Sequence, residues 1–244
     1  MPELWFAIVA LMLTLYVVLD GFDLGAGSLH LAVARTDTER RQVLAAIGPF
    51  WDGNEVWLLA TGGALFVAFP RALAAGLSGF YLAIFLVLWC LILRGIAIEF
   101  RSHVPHPLWR AFWDTTLALA SALLAVFFGA ALGNLVRGLP LDGQGWFGLA
   151  LFTHFGTRPP VGILDWYTVA AGVFALATLM LHGATFLAMR ATGALEARSR
   201  ALARWLGIIV AAPWPPMTRG PPAGNPAQFH AVAAPGPAGG AAAH

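Results

Sequence analysis

The chain has 244 residues, of which 59% are hydrophobic and 11% charged, with a mean hydropathy of +0.75. A water-soluble domain carries about 25% charged residues, so there is too little charge here to cover a water-facing surface. All fourteen basic residues are arginine; they sit in short segments between apolar runs, which speaks for membrane topology and against a nucleic-acid partner in spite of a pI near 9.2.

The apolar residues come in runs long enough for bilayer-spanning helices of roughly 20 residues each. In lipid the backbone must satisfy its own hydrogen bonds, so such runs are helical. The first extends from Leu4 to about Ala34 and is interrupted by Asp20 and Asp23. Its start lacks a basic region and a small-residue cleavage site, so it reads as a first span and not as a cleaved signal. The second runs from about Phe50 to Phe69 and stops at Pro70; the third from about Ala74 to Ile98; the fourth from Phe112 to Val136. A Gly- and Pro-rich connection follows, then a fifth run from Leu164 to Met189. A sixth begins around Ala201 and fails after Trp205 to Ala212.

From Pro213 onward eight of the sixteen prolines fall within 32 residues. Proline removes helix hydrogen bonds, so this tail is expected to be disordered and low in complexity. The expected organisation is all-α and polytopic, with about five full spans and a stub of a sixth. Residues 1–136 form a first four-helix bundle and 137–163 an extracytoplasmic connection. Residues 164–212 hold the fifth helix and the start of the sixth, and 213–244 the tail.

Arginines divide unevenly between the two sides. Arg35, Arg40, Arg41, Arg94, Arg101, Arg110, Arg190, Arg198, Arg200 and Arg204 follow the odd-numbered spans, against Arg71, Arg137 and Arg158 on the other side. The positive-inside rule then places the N-terminus outside and the arginine-rich loops in the cytoplasm. Arg94, near the end of its run, is read as snorkelling; with Glu99, Arg101 and His103 it forms an interfacial anchor.

Ionisable residues within spans are costly and therefore candidates for function. Asp20, Asp23, Gly27 and His30 are spaced 3, 4 and 3, on one helical stripe. Asp52 and Glu55, in Trp51-Asp-Gly-Asn-Glu-Val-Trp57, share a face where the second helix opens. Both clusters are expected near the cytoplasmic side, where Asp20, Asp23, Asp52 and Glu55 could relay protons, with Asp52 the strongest candidate. Helix capping would account equally for Asp52 and Glu55. His30, His154 and His182 show no pair spacing diagnostic of haem ligation. The lone Cys90 argues against disulfides, and no metal site is expected.

These motifs resemble those of a known family. Asp20-Gly-Phe-Asp-Leu-Gly25 is similar to the first-helix signature of subunit II of cytochrome bd quinol oxidases, and Gly48-Pro-Phe-Trp-Asp-Gly-Asn-Glu-Val-Trp57 to its second. Gly62-Gly-Ala-Leu-Phe66, Leu93 to Arg101, Gly133-Asn-Leu135 and His182-Gly-Ala-Thr185 extend the resemblance over about residues 4 to 211.

It implies a terminal oxidase of the bacterial plasma membrane that oxidises quinol and reduces oxygen to water. Haems b and d and the quinol site would belong to the partner, subunit I, in a heterodimer embedded in lipid. Subunit II would bind no haem itself; some members hold a structural quinone there. It would support assembly and carry the proton-path aspartate of the Trp-Asp-Gly-Asn motif, which falls on Asp52. Family members have eight helices in two four-helix bundles, whereas the resemblance here stops inside the sixth, so truncation or a frameshift in a GC-rich gene is expected. A proton-coupled secondary transporter and a haem-carrying cytochrome b are the rival readings.

Overall fold

The computed structural model describes residues 1–158 and 160–213; the expected disorder of the tail beyond Pro213 falls outside them. Eight helices account for the regular structure among the described residues. The first, α1 (Pro2–Val33), opens with proline at its first turn, where no amide partner is lost. Its 32 residues measure about 48 Å at 1.5 Å each, well beyond a hydrocarbon core of about 30 Å.

The segment after α1 is a helix of its own. In α2 (Asp37–Ile47), Thr36 and Glu39 form a reciprocal capping box, and Val43, Leu44, Ala46 and Ile47 turn inward. Next comes α3 (Trp51–Ala68), ending where Pro70 starts α4 (Pro70–Gly79). The expected third run is therefore two helices, because the chain breaks at Phe80 before α5 (Tyr81–Phe100). The Phe147 ring sits against the break: a Cβ on Gly79 would lie 2.1 Å from it, and it packs edge-on to Phe80.

Three further helices follow: α6 (Pro107–Arg137), α7 (Trp166–Arg190) and α8 (Gly193–Ala211). Asp165 caps α7 by accepting from the amides of Tyr167 and Thr168. Helix α8 starts eight residues before the expected Ala201, so Arg198, Arg200 and Arg204 lie on a helix and not in a loop. Helices α1, α5, α6 and α7 are long and apolar enough to cross a membrane. At 18 residues, α3 is not among them, since Asp52, Asn54 and Glu55 occupy its first turns. The chain is an all-α polytopic membrane bundle.

Helix α1 is the hub, packed against α3, α6 and α7, with α5 on α6 and α8 on α7. Glycine sets the α1–α7 distance: a Cβ on Gly25 would fall 1.8 Å from the Leu179 carbonyl oxygen, and one on Gly183 2.2 Å from the Ala26 nitrogen. Such backbone contact between membrane helices is how small residues hold them together. The largest buried cluster joins Ala26, Leu29 and Val33 to Val43, Leu117 and Leu187. Leu59, Phe66, Val67, Leu88 and Trp89 point outward, giving an apolar exterior suited to lipid or to another protein.

Candidate functional site

Polar side chains are buried inside this apolar-coated bundle beside its hydrophobic core. Asp20, Asp23, His30, Arg94, Arg101 and Asp114 are all at most 1% exposed, the reverse of their usual distribution. They form two levels along α1, set by its heptad-like stripe. Tyr16, Asp20, Asp23, Gly27 and His30 recur at intervals of four and three and are all buried.

At the deeper level Arg94 of α5 reaches across to α1. Its Nη1 donates to both Asp20 oxygens at 2.8 and 2.9 Å, and its Nη2 donates to Glu55 Oε2 at 2.8 Å. Asn54 of α3 donates from Nδ2 to Asp23 Oδ2 at 2.7 Å and to the Leu19 carbonyl at 3.1 Å. Two carboxylates thus share one guanidinium, with a third, Asp23, held one turn along α1 by Asn54. In a low-dielectric interior such a set is electrically neutral only with protons or other cations added.

The second level lies at the arginine-rich end. His30 Nε2 approaches Asp114 Oδ1 at 2.6 Å, and the same carboxylate accepts from Arg101 Nε at 2.5 Å, Arg101 Nη2 at 3.1 Å and Arg40 Nη1 at 2.8 Å. Arg101 Nη2 also donates to Asp37 at 2.8 Å, and Asp37 accepts from Arg41 and Arg110. Those donors, Arg41 first, hold the Asp37 carboxyl below its ordinary value. Helices α1, α2, α5 and α6 are joined here through one buried aspartate. Beside it Arg198 of α8 donates to Glu39 and, at 2.7 Å, to the Val33 carbonyl.

The expected site residues separate in space. Asp20, Asp23 and Glu55 come together, but Asp20 stands thirteen residues before Val33, roughly 20 Å from that helix end and so deeper than expected. Asp52 does not join them; it is exposed on the first turn of α3, while Glu55, one turn on, is half-buried against Arg94. Nor is Arg94 an interfacial anchor: being 1% exposed, it is the centre of the deeper cluster. Asp114 was not among the expected residues, yet it lies in an apolar run, where any acid is costly. The same cost marks Arg94.

Three described histidines stand apart from one another. His30 Nε2 is engaged by Asp114, His182 stacks on Phe22 at 6.0 Å, and His154 lies in the irregular connection. Among the described residues no group of three or more His, Cys, Asp or Glu side chains could hold a metal ion. At the end opposite the arginines, Arg137 pairs with Asp165, bonds Asn134 Oδ1 at 2.8 Å and the Gly162 carbonyl at 2.9 Å, and pins the connection to α6 and α7.

Comparison with known proteins gives a consistent result. The family described as cytochrome bd terminal oxidase subunit II matches residues 1–215. The cytochrome bd-I ubiquinol oxidase subunit 2 of Escherichia coli K12 is 37% identical over 206 residues, which cover 84% of this chain and 53% of that protein. A probable cytochrome oxidase subunit 2 of Haemophilus influenzae is 38% identical over 207 residues, 85% of this chain and 53% of its own length. The cytochrome bd ubiquinol oxidase subunit 2 of Bacillus subtilis is 35% identical over 211 residues, 86% and 60% respectively. The chain spans little more than half the length of these relatives.

Proposed function

The chain belongs to the cytochrome bd terminal oxidase subunit II family, and from that premise we propose that it serves as the haem-free partner subunit of a bd-type quinol oxidase. It pairs with subunit I in the bacterial plasma membrane, its N-terminus outside and the Arg35 to Arg41 segment in the cytoplasm. Quinol is oxidised and oxygen reduced to water at haems b and d of the partner. This chain supports assembly and delivers protons.

The observation that carries the proton role is the sharing of one guanidinium, Arg94, by Asp20 and Glu55, with Asp23 one turn away on α1. A cluster with more carboxyl groups than cations has room for exchangeable protons, and one whose members bond to arginine and asparagine keeps them fixed in place. Asp52 stands exposed one turn before Glu55, on its side toward the arginine-rich segment, where a proton from water can first bind. The path then runs Asp52, Glu55, Asp20 and Asp23, with subunit I beyond. The apolar exterior of the bundle supports the partner role, since it suits a protein surface as well as lipid.

The test is oxygen consumption and haem absorbance of the oxidase assembled with variant chains. Asp52→Asn and Asp23→Asn slow turnover at least tenfold while haem content stays normal. Unchanged turnover in both would remove this chain from the proton route and leave Asp52 a helix cap.

A further inference from the structure

At the arginine-rich end an open cleft of about 330 Å³ lies between α2 and the last turn of α5. Leu44 and Ile98 floor it, each 9% exposed and each part of the largest buried cluster. Ala45 adds little bulk, and Arg41, Glu99 and Ser102 complete the lining. Sites for small ligands have volumes of this order.

Arg41 and Glu99 reach this cleft with bonding capacity unused. Arg41 engages Asp37 through Nε alone, at 3.0 Å, and Asp37 is served by Arg101 and Arg110 as well. Both Arg41 amino groups lack a hydrogen-bond partner among the described residues. The Glu99 carboxyl has no hydrogen bond or ion pair among them either; only its main-chain oxygen is engaged, by the His103 ring. A cation on the α2 wall and an anion on the α5 wall are thus both open to a ligand.

The cleft sits at the depth of lipid head groups. Helix α5 has 20 residues, about 30 Å at 1.5 Å each, which matches the hydrocarbon core, and Glu99 ends that length. Aromatic side chains gather at the same end: the Trp109 indole donates to the Phe100 carbonyl at 2.8 Å, and the Trp109 and Trp113 rings lie 5.6 Å apart. Tryptophan clusters of this kind mark the membrane–water interface. Leu88 and Ile92, both exposed, precede Glu99 by eleven and seven residues, so an apolar stripe leads along the lipid-facing side of α5 to the cleft.

We propose that this cleft binds one phospholipid whose zwitterionic head ends in a primary ammonium. The phosphate meets the Arg41 amino groups, whose planar fork suits phosphate oxygens, and the Ser102 hydroxyl. The ammonium, two carbons further along the head, donates to the Glu99 carboxylate. The glycerol rests on Leu44 and Ile98, and the chains follow Leu88 and Ile92. Charge selects the lipid. A glycerol head sets no cation against Glu99, and a choline head has a cation without an N–H to donate. The bound lipid ties α2 to α5, and the site stands whether or not the chain delivers protons.

Native mass spectrometry tests it on the full chain, extracted in mild detergent with whatever partner accompanies it. The sample is equilibrated with equal amounts of phosphatidylethanolamine, phosphatidylglycerol and phosphatidylcholine. The wild type keeps one phosphatidylethanolamine, favoured about tenfold over either rival, as one charge-assisted hydrogen bond gives. Glu99→Gln loses the preference over phosphatidylglycerol. Ala45→Trp, at an exposed position, fills the cleft and abolishes retention with an unchanged melting temperature. Arg41→Gln weakens retention of every phospholipid; if it loosens α2, the other two variants decide. Equal retention of the three lipids by the wild type, or a phosphatidylethanolamine preference that survives Glu99→Gln and Ala45→Trp, would overturn the site. A wild type that keeps no lipid would overturn it too and assign the cleft to a protein partner.

Discussion

Arg94 holds Asp20 through a single amino group, which donates to both carboxylate oxygens and leaves the other amino group for Glu55. The pair joins α5 to α1 across 74 residues of sequence, and neither side chain is more than 1% exposed. Removing one member of a buried pair leaves the other charge stranded, at a cost of about 3–5 kcal/mol. Arg94→Leu is therefore expected to lower the thermal stability of the detergent-purified protein far more than Asp20→Asn, which keeps a hydrogen-bonding amide. Arg94→Lys restores little, because a point charge cannot serve two carboxylates with a planar fork. Melting curves for the three variants decide the order.

Asp114 makes a second prediction. It accepts from His30, Arg40 and Arg101 at once, so Asp114→Asn leaves two guanidiniums facing a neutral group. The loss is greatest for α2, which Arg40 ties to the bundle. Limited trypsin digestion should cut after Arg40 or Arg41 in the variant under conditions where the parent chain is resistant. Equal resistance would mean that the apolar face of α2 and its Asp37 and Glu39 ion pairs hold it without Arg40.

Glu39 supplies a pH dependence. The Arg198 guanidinium, helped by the Arg35 amide, pulls its carboxyl down to about 2 from an ordinary value of 4.5. A depressed acid stabilises the fold above its unfolded value and loses that contribution as pH falls through the folded one, here from about 4.5 toward about 2. Protection factors for hydrogen exchange, taken against the intrinsic rate at each pH, should therefore fall in α2 and at the start of α8 below pH 4.5. In Glu39→Gln that added loss of protection is absent, although other acids still titrate.

Glycine contact between α1 and α7 predicts a contrast within one residue type. Gly25→Ala and Gly183→Ala place a methyl against backbone atoms at 1.8 and 2.2 Å and should each destabilise by about 1–3 kcal/mol, the usual cost of overpacking. Gly62→Ala and Gly63→Ala have nothing within 4 Å and should leave the melting temperature of the purified chain unchanged or slightly raised, since alanine is the better helix former.

Orientation is tested at Thr38, which is exposed on α2. A Thr38→Cys chain, with native Cys90 buried, should resist an impermeant thiol reagent in intact cells and react after permeabilisation. Ready labelling in intact cells would invert the topology and move the proton entrance to the other side.

Sequence alone determined the class and the stripe. Apolar runs of this length have few solutions other than helices in lipid, because every backbone amide must be satisfied within the segment. The 3-4-3 spacing placed Asp20, Asp23, Gly27 and His30 on one face, and Thr36 with Glu39 carried a capping signature that could have revealed α2. Tertiary structure decided which charges meet. Arg94 pairs with a residue 74 positions away, and Asp114 with residues 84, 74 and 13 away. No local periodicity encodes partners on different helices; they are chosen by which faces the glycine contacts and the apolar core press together. The same packing left Asp52 outside the cluster that its neighbour Glu55 joins, since Asp52, one turn nearer the start of α3, stays exposed while Glu55 meets Arg94.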